Sequence, residues 1–200
     1  MIRSDISELE TGKAGEYLVC ADMILAGYTA FPSEQGLPFD IVSEVGGRLI
    51  KVQVKTTKAV RTLKDPNRAI QRSGYLFQIK RMGHGGKKTY APGAVDMFAL
   101  VALDSREIGY ILPKEIKQTM IFRASSLRGT YANEVLDRRM GDIKTQIALG
   151  KPVLDIAKDF QLDKTYVYKI KNKPPETCGR SGIYLSDLTL NKALAKMVLL

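Results

Sequence analysis

Residues 39–56 read FDIVSEVGGRLIKVQVKT, and this stretch decides the fold. Two β-type runs, Phe39–Glu44 and Arg48–Thr56, flank Val45-Gly46-Gly47-Arg48. Two glycines between alternating runs signal a tight hairpin. On the second run, alternation sends Gln53 and Lys55 to one face and Val52 and Val54 to the other. Burying an unpaired ammonium is costly, so Lys55 needs an acidic neighbour or a phosphate beside it. Asp40, opening the first run, is the carboxylate a hairpin would bring there.

Upstream, residues 8–26 (ELETGKAGEYLVCADMILA) are expected to form a helix, with Leu9, Tyr17, Leu18, Ala21, Ile24 and Leu25 near helical spacing and Gly27 as its stop. Tyr28–Pro32 is expected to be a strand. Downstream, residues 58–73 are basic and without alternation, and are expected to be a loop with some helix. Strands are predicted at Tyr75–Arg81, Met97–Leu103 and Ile108–Leu112. A loop is predicted at Gly83–Gly93, and Pro113 opens a short helical stretch. Tyr75, Tyr90 and Tyr110 are read as half-buried strand aromatics, Asp96 as a capping or pairing residue, and His84 as a solvated loop side chain.

Strand signals end by about Gly141. Gly141–Leu149, Val153–Phe160 and Lys164–Asn172 are expected to be three helices, with Pro152 opening the second and Asp163 capping the third. Ile156, Ala157, Leu162, Val167 and Ile170 would hold them together, with Gln161 at the turn. Lys173–Gly182 has linker composition, and Ser186–Leu200 is an amphipathic helix that packs on its own domain or on a partner subunit.

Charge points the same way as the motifs. From Lys51 to Lys88 there are eleven Lys or Arg and one acid, Asp65, so this segment alone carries the chain's net +10. A field of that size attracts a polyanion, most commonly nucleic acid. The N-terminus is polar, without the apolar core of a signal peptide, and no run approaches the ~18 apolar residues of a membrane span. Cys20 and Cys178 form no CxxC pair, which excludes a zinc cluster and a disulfide framework. Together these predict a cytoplasmic (intracellular) protein with no membrane partner.

The order helix with Gly15-Glu16, Gly27-Tyr28, Phe39-Asp40, then Val52-Gln53-Val54-Lys55 resembles the PD-(D/E)xK nuclease superfamily over about residues 8–113. It is closest in wording to intron-encoded homing endonucleases, and next to Holliday-junction resolvases. Two features depart from the pattern: Pro38 lies two residues before Asp40, and Gln53 replaces an acid. The resemblance implies an α/β, restriction-endonuclease-like core with a mixed sheet over 1–125. Residues 126–174 would be a small all-α segment resembling the helix-turn-helix of recombinases and transposases. Residues 175–200 would be a linker and amphipathic helix.

It further implies Glu16, Asp40, Gln53 and Lys55 as catalytic residues. Glu16, Asp40, Gln53 and the Val54 carbonyl would hold Mg²⁺, with Mn²⁺ a substitute. Lys58, Arg61, Lys64, Arg68, Arg72, Lys87 and Lys88 are the expected DNA contacts around the core. Lys164, Thr165, Tyr166, Tyr168 and Lys169 are those of the third helix. The function expected is sequence-specific, metal-dependent cleavage of double-stranded DNA by a homodimer or homotetramer. A junction resolvase and a non-catalytic DNA-binding regulator on the same scaffold are the alternatives.

Overall fold

A computed structural model describes residues 5–63, 72–80, 90–128, 131–172 and 183–198. Lys64, Arg68, Lys87, Lys88, His84 and Cys178, most of the predicted 83–93 loop and the 173–182 linker lie outside the described residues. The chain forms two compact units, one of residues 1–125 with 178–200 and one of residues 126–177.

The first unit opens with α1 (Glu8–Leu25), capped by Ser7, whose hydroxyl accepts from the Glu10 amide while Glu10 reaches back to the Ser7 amide. This reciprocal pairing satisfies donors that a helix start leaves open. A five-stranded mixed sheet follows, in the order β1-β2-β3-β6-β7. Its strands are β1 (Thr29–Pro32), β2 (Ile41–Val45), β3 (Arg48–Thr57), β6 (Met97–Ala102) and β7 (Glu107–Ile111). β3 pairs parallel with β6, and the other pairs are antiparallel. The β2–β3 hairpin closes as expected: Gly46 and Gly47 sit at φ +59° and +80°, which a two-residue hairpin turn requires and side-chain-bearing residues resist.

A second sheet differs from expectation. Residues 61–63 form β4 (Arg61–Leu63) rather than loop. It pairs with β5 (Arg72–Gln78), which starts three residues earlier than predicted. β8 (Thr119–Phe122), unforeseen, completes this second, three-stranded antiparallel sheet. Pairing across the sheet, rather than the short sequence runs themselves, makes these strands.

The buried line of α1 is Thr11, Gly15, Val19 and Met23, with Cys20 beside it. Leu9, Tyr17, Ala21, Ile24 and Leu25, whose spacing marked the helix, are exposed, and of that set only Leu18 touches the core. Apolar residues surround this helix on all sides, so hydrophobicity alone could not choose its face. Val19 and Met23 pack on Ile41, Val52, Val54, Met97 and Ala99. The C-terminal helix α5 (Leu190–Val198) begins later than predicted, after a 3-10 turn at Leu185–Asp187. Its Leu190, Ala193 and Leu194 join the same core, so it packs on its own unit. Among the described residues no helix is long and apolar enough to cross a membrane.

The second unit contains α2 (Tyr131–Ala148), α3 (Val153–Asp159) and α4 (Lys164–Lys171). α2 starts ten residues before the predicted Gly141. Ile143, Val153, Ile156, Ala157 and Val167 form its core, with Leu162 and Ile170 packed against them. The Asp163 carboxylate accepts from the Thr165 amide at 2.7 Å, capping α4. Gln161 adopts φ +50° at the turn between α3 and α4, where glycine is the unstrained choice.

Candidate active site

The site begins where β2 stops pairing. Ile41 is opposite Val52, and the Asp40 amide still donates to the Val52 carbonyl at 2.9 Å. Beyond this point the chain leaves β3, which continues to Thr57. The next amide facing that side, on Val54, would lack a ladder partner. The Asp40 carboxylate accepts it at 2.9 Å through Oδ2. Asp40 thus completes the ladder with its side chain and lies at the fork between the strands.

Gln53 is 7% exposed, on the face of β3 turned away from Val52 and Val54. Its side-chain nitrogen donates to Asp40 Oδ2 and, at 3.1 Å, to the Val54 carbonyl. Two oxygen acceptors therefore converge on one side-chain NH₂ donor. Oxygen donors gathered in this way are what a hard divalent cation takes, and a half-turn of the amide would add Gln53 Oε1 to the set. The residues present fit such an ion. Among the described residues no three His, Cys, Asp or Glu gather as a metal-binding group. An ion here would draw on an amide and a backbone carbonyl beside carboxylates.

Glu16 enters from α1, and Gly15 lets it. A Cβ on Gly15 would lie 2.0 Å from Thr56 Oγ1, so only glycine allows the helix to rest this closely on β3. The Thr56 hydroxyl beneath it is buried with no hydrogen-bond partner among the described residues. Glu16 is held by Lys13, whose ammonium lies 2.5 Å from its carboxylate one helical turn away. Burial pushes the Asp40 carboxyl above the usual carboxylate range, and the charge of Glu16 adds to this. The Val54 N–H, Lys55 and Lys13 oppose it. Glu16, acting on the Lys13 ammonium, holds that group above its usual value. Cys20, a buried thiol on the same helix, is pushed up by burial and by Glu16.

Lys55, half-buried, lies with its ammonium 5.5 Å from the centre of the Tyr90 ring, within cation–π range. Tyr90 in turn meets Phe98 edge-on at 5.1 Å, and Phe98 is the register partner of Gln53 on β6. Electrostatic effects on Asp40 connect Glu16 and Lys55 to it, while Gln53 and Val54 bond to it directly. Lys13 was not singled out in the sequence, and Tyr90 was read only as a half-buried strand aromatic; it is half-buried but lies outside any strand, against Lys55. The i,i+3 spacing of Lys13 and Glu16 was a visible signal for the first. Nothing local marked Tyr90, thirty-five residues from Lys55.

The other predicted residues have settings of their own. Lys58 donates to the Ile6 carbonyl at 2.6 Å, Arg61 is exposed on β4, and Arg72 opens β5. In the second unit Lys164, Thr165, Tyr168 and Lys169 are exposed on α4, and Tyr166 is half-buried. Asp96 is a pairing residue as expected: it exchanges hydrogen bonds with the Lys51 backbone, accepting at 2.8 Å and donating at 2.9 Å. Tyr75 and Tyr110 are buried rather than half-buried, their hydroxyls held by Ser105 and Asp22.

A solved bacterial homing endonuclease, I-Ssp6803I, is similar at 14% identity and a TM-score of 0.48, over 64% of this chain and 86% of that one. No curated protein matches the sequence. The family model described as PD-(D/E)XK endonuclease matches residues 6–133, from the Ser7 cap through the whole of both sheets. The chain belongs to the PD-(D/E)XK endonuclease family.

Proposed function

We propose that this protein is a divalent-metal-dependent, sequence-specific endonuclease of double-stranded DNA, of homing or restriction type. The observation that carries the reading is the convergence of Asp40 Oδ2 and the Val54 carbonyl on the Gln53 amide, with Glu16 and Lys55 within electrostatic reach. Asp40, Glu16, Gln53 Oε1 and the Val54 carbonyl would hold Mg²⁺ or, as a substitute, Mn²⁺. When bound, such an ion polarises the scissile phosphate and acidifies the attacking water.

The chain's own groups supply the rest. Lys55 orients the water and offsets charge building on the phosphate, and the Tyr90 ring fixes where its ammonium stands. Lys13 holds the Glu16 carboxylate in place until it is needed. Arg61 and the other cations between Lys51 and Lys88 contact phosphates, which are alike in every sequence.

The second unit is proposed as the reader. A capped α4 after a tight turn, with Lys164, Thr165, Tyr168 and Lys169 exposed, supports a helix-turn-helix whose last helix enters the major groove. Cutting both strands of a palindrome calls for two active sites, hence a dimer or tetramer.

The test is incubation with plasmid and with a synthetic four-way junction, in Mg²⁺ or in EDTA. Linear plasmid with one recurrent end sequence, formed only with Mg²⁺, is expected. Cutting of the junction alone would make the protein a resolvase. Binding without cutting in any divalent metal would make it a regulator.

A further inference from the structure

A cavity of about 320 Å³ opens on the face of the main sheet that carries Gln53 and Lys55, and the chemistry proposed above leaves it without a role. Phe98 and Val95, both buried, form its apolar lining with Ile116, and Tyr90 stands at one side. Lys117, exposed, and Lys80, half-buried, bring two cations to the same walls. The cavity is continuous with the candidate active site through specific contacts. Tyr90 lies under the Lys55 ammonium at 5.5 Å, and Phe98 is paired in register with Gln53.

Resting on the endonuclease reading, we propose that this cavity receives one unstacked nucleobase of the DNA beside the scissile phosphate. Four observations converge on that occupant. The volume stands at the lower end of the ~300–1,000 Å³ of small-molecule sites, right for a single planar group and too small for a peptide segment. Apolar and aromatic walls offer the stacking that compensates a base for leaving the duplex. Lys80 and Lys117 match the phosphates that must accompany that base. And a nucleotide seated against Tyr90 and Phe98 has its backbone next to Lys55, where the reacting phosphate belongs. Base entry then serves as a checkpoint, because only a strand that yields its base sets the neighbouring phosphate in place.

The experiment uses the full chain and duplexes spanning a cut site mapped by sequencing the ends of cleaved plasmid. 2-Aminopurine, which brightens when unstacked, is placed at each position in turn, and fluorescence is read with Ca²⁺ in place of Mg²⁺. One position next to the scissile phosphate should brighten several-fold. Ile116→Trp fills the cavity from its wall, and Pro92→Trp does so from an exposed lining position should the first variant fold poorly. Either should abolish the brightening and slow Mg²⁺-dependent cutting by about tenfold or more. An abasic nucleotide at that position should return the variants to the wild-type rate, since no base then needs the cavity. Duplexes that wild type cuts with no brightening at any position would overturn the proposal and leave the endonuclease reading standing. So would filled variants that still brighten the same position. DNA that is neither bound nor cut would end both.

Discussion

β3 and α4 both present polar and cationic side chains, and they do so in opposite ways. On β3, Gln53 is buried and bonded, and Lys55 is half-buried against an aromatic ring. On α4, Lys164, Thr165, Tyr168 and Lys169 stand in solvent on a helix held by a small core beneath it. A strand in the middle of a sheet fixes atoms to fractions of an ångström, which bond-making chemistry needs. A capped helix on a small unit offers reach and access, which suits reading. If the difference is functional, damage to β3 should end cutting and leave binding, and damage to α4 should do the reverse.

The largest expected effect follows from this. Asp40→Ala and Lys55→Ala should each lower the cleavage rate by roughly 10²–10³ or more, the scale of losing a preorganised electrostatic partner. DNA binding should stay within about tenfold, roughly 1.4 kcal/mol. Plasmid cleavage and gel-shift titration measure the two separately. Either variant cutting at the wild-type rate removes that residue from the site.

The sequence showed more of β3 than of what surrounds it. Alternation in Val52–Thr56 and two adjacent glycines are short-range signals, and the hairpin formed with the register they imply. The buried face of α1 was not legible, for a physical reason. Its buried line runs through Thr11 and Gly15, the glycine in close approach to β3, while Leu9, Tyr17, Ile24 and Leu25 look outward. Close packing by a glycine leaves no hydrophobic signature. β4 and β8 are short strands defined by their shared partner β5, which for β8 lies far back in the sequence, and Tyr90 reaches Lys55 through the fold alone.

Gly15 gives the next largest effect. Gly15→Ala puts a methyl group on the Thr56 hydroxyl and should cost about 1–3 kcal/mol as an overpacked contact, read as a lower urea midpoint. It should also displace Glu16 and weaken metal binding. Thr56→Ala removes that oxygen, which is buried with no partner among the described residues, and should be near neutral alone. Combined with Gly15→Ala it should recover most of the loss. Additive effects in the double variant would mean that the helix does not rest on this contact.

On α4, Thr165→Ala with Tyr166→Ala should cost about 1–3 kcal/mol per specific contact on the cognate site and little on random DNA. Neutralising Arg61 should weaken binding to all sequences alike and lower the salt slope by roughly one unit. Unchanged selectivity in the α4 variant would reduce the second unit to a structural element.

A pH test reads the buried side alone. Burial raises the Asp40 carboxyl, so the folded protein keeps a proton there that the unfolded chain has released. Stability associated with this group therefore falls as pH rises from the ordinary aspartate value through the raised one, and stays lost above it. In EDTA, Asp40→Asn should melt higher than wild type at neutral pH, and the gain should shrink on acidification through that window. A difference independent of pH would mean that the carboxylate pays no desolvation penalty at the fork.

The smallest effect separates the two regions by their turns. The β2–β3 hairpin places glycines at both positive-φ positions, whereas the α3–α4 turn places Gln161 at φ +50°. A side chain in the left-handed region costs roughly 1–2 kcal/mol, and glycine escapes it. Glycine also makes the unfolded chain more flexible, which returns about 0.4–1 kcal/mol of the gain. Gln161→Gly should therefore stabilise the second unit by no more than about 1 kcal/mol. Hydrogen exchange at Ile156 and Val167, buried on either side of the turn, should slow accordingly. Exchange at Val52 and Val54 in the first unit should not change. Because Gln161 is exposed and belongs to neither proposed contact surface, cleavage rate and site selectivity should stay as they are. Altered selectivity would mean that the turn's strain sets how α4 presents Thr165 and Lys169. The exposed region would then depend on fixed geometry as much as β3 does.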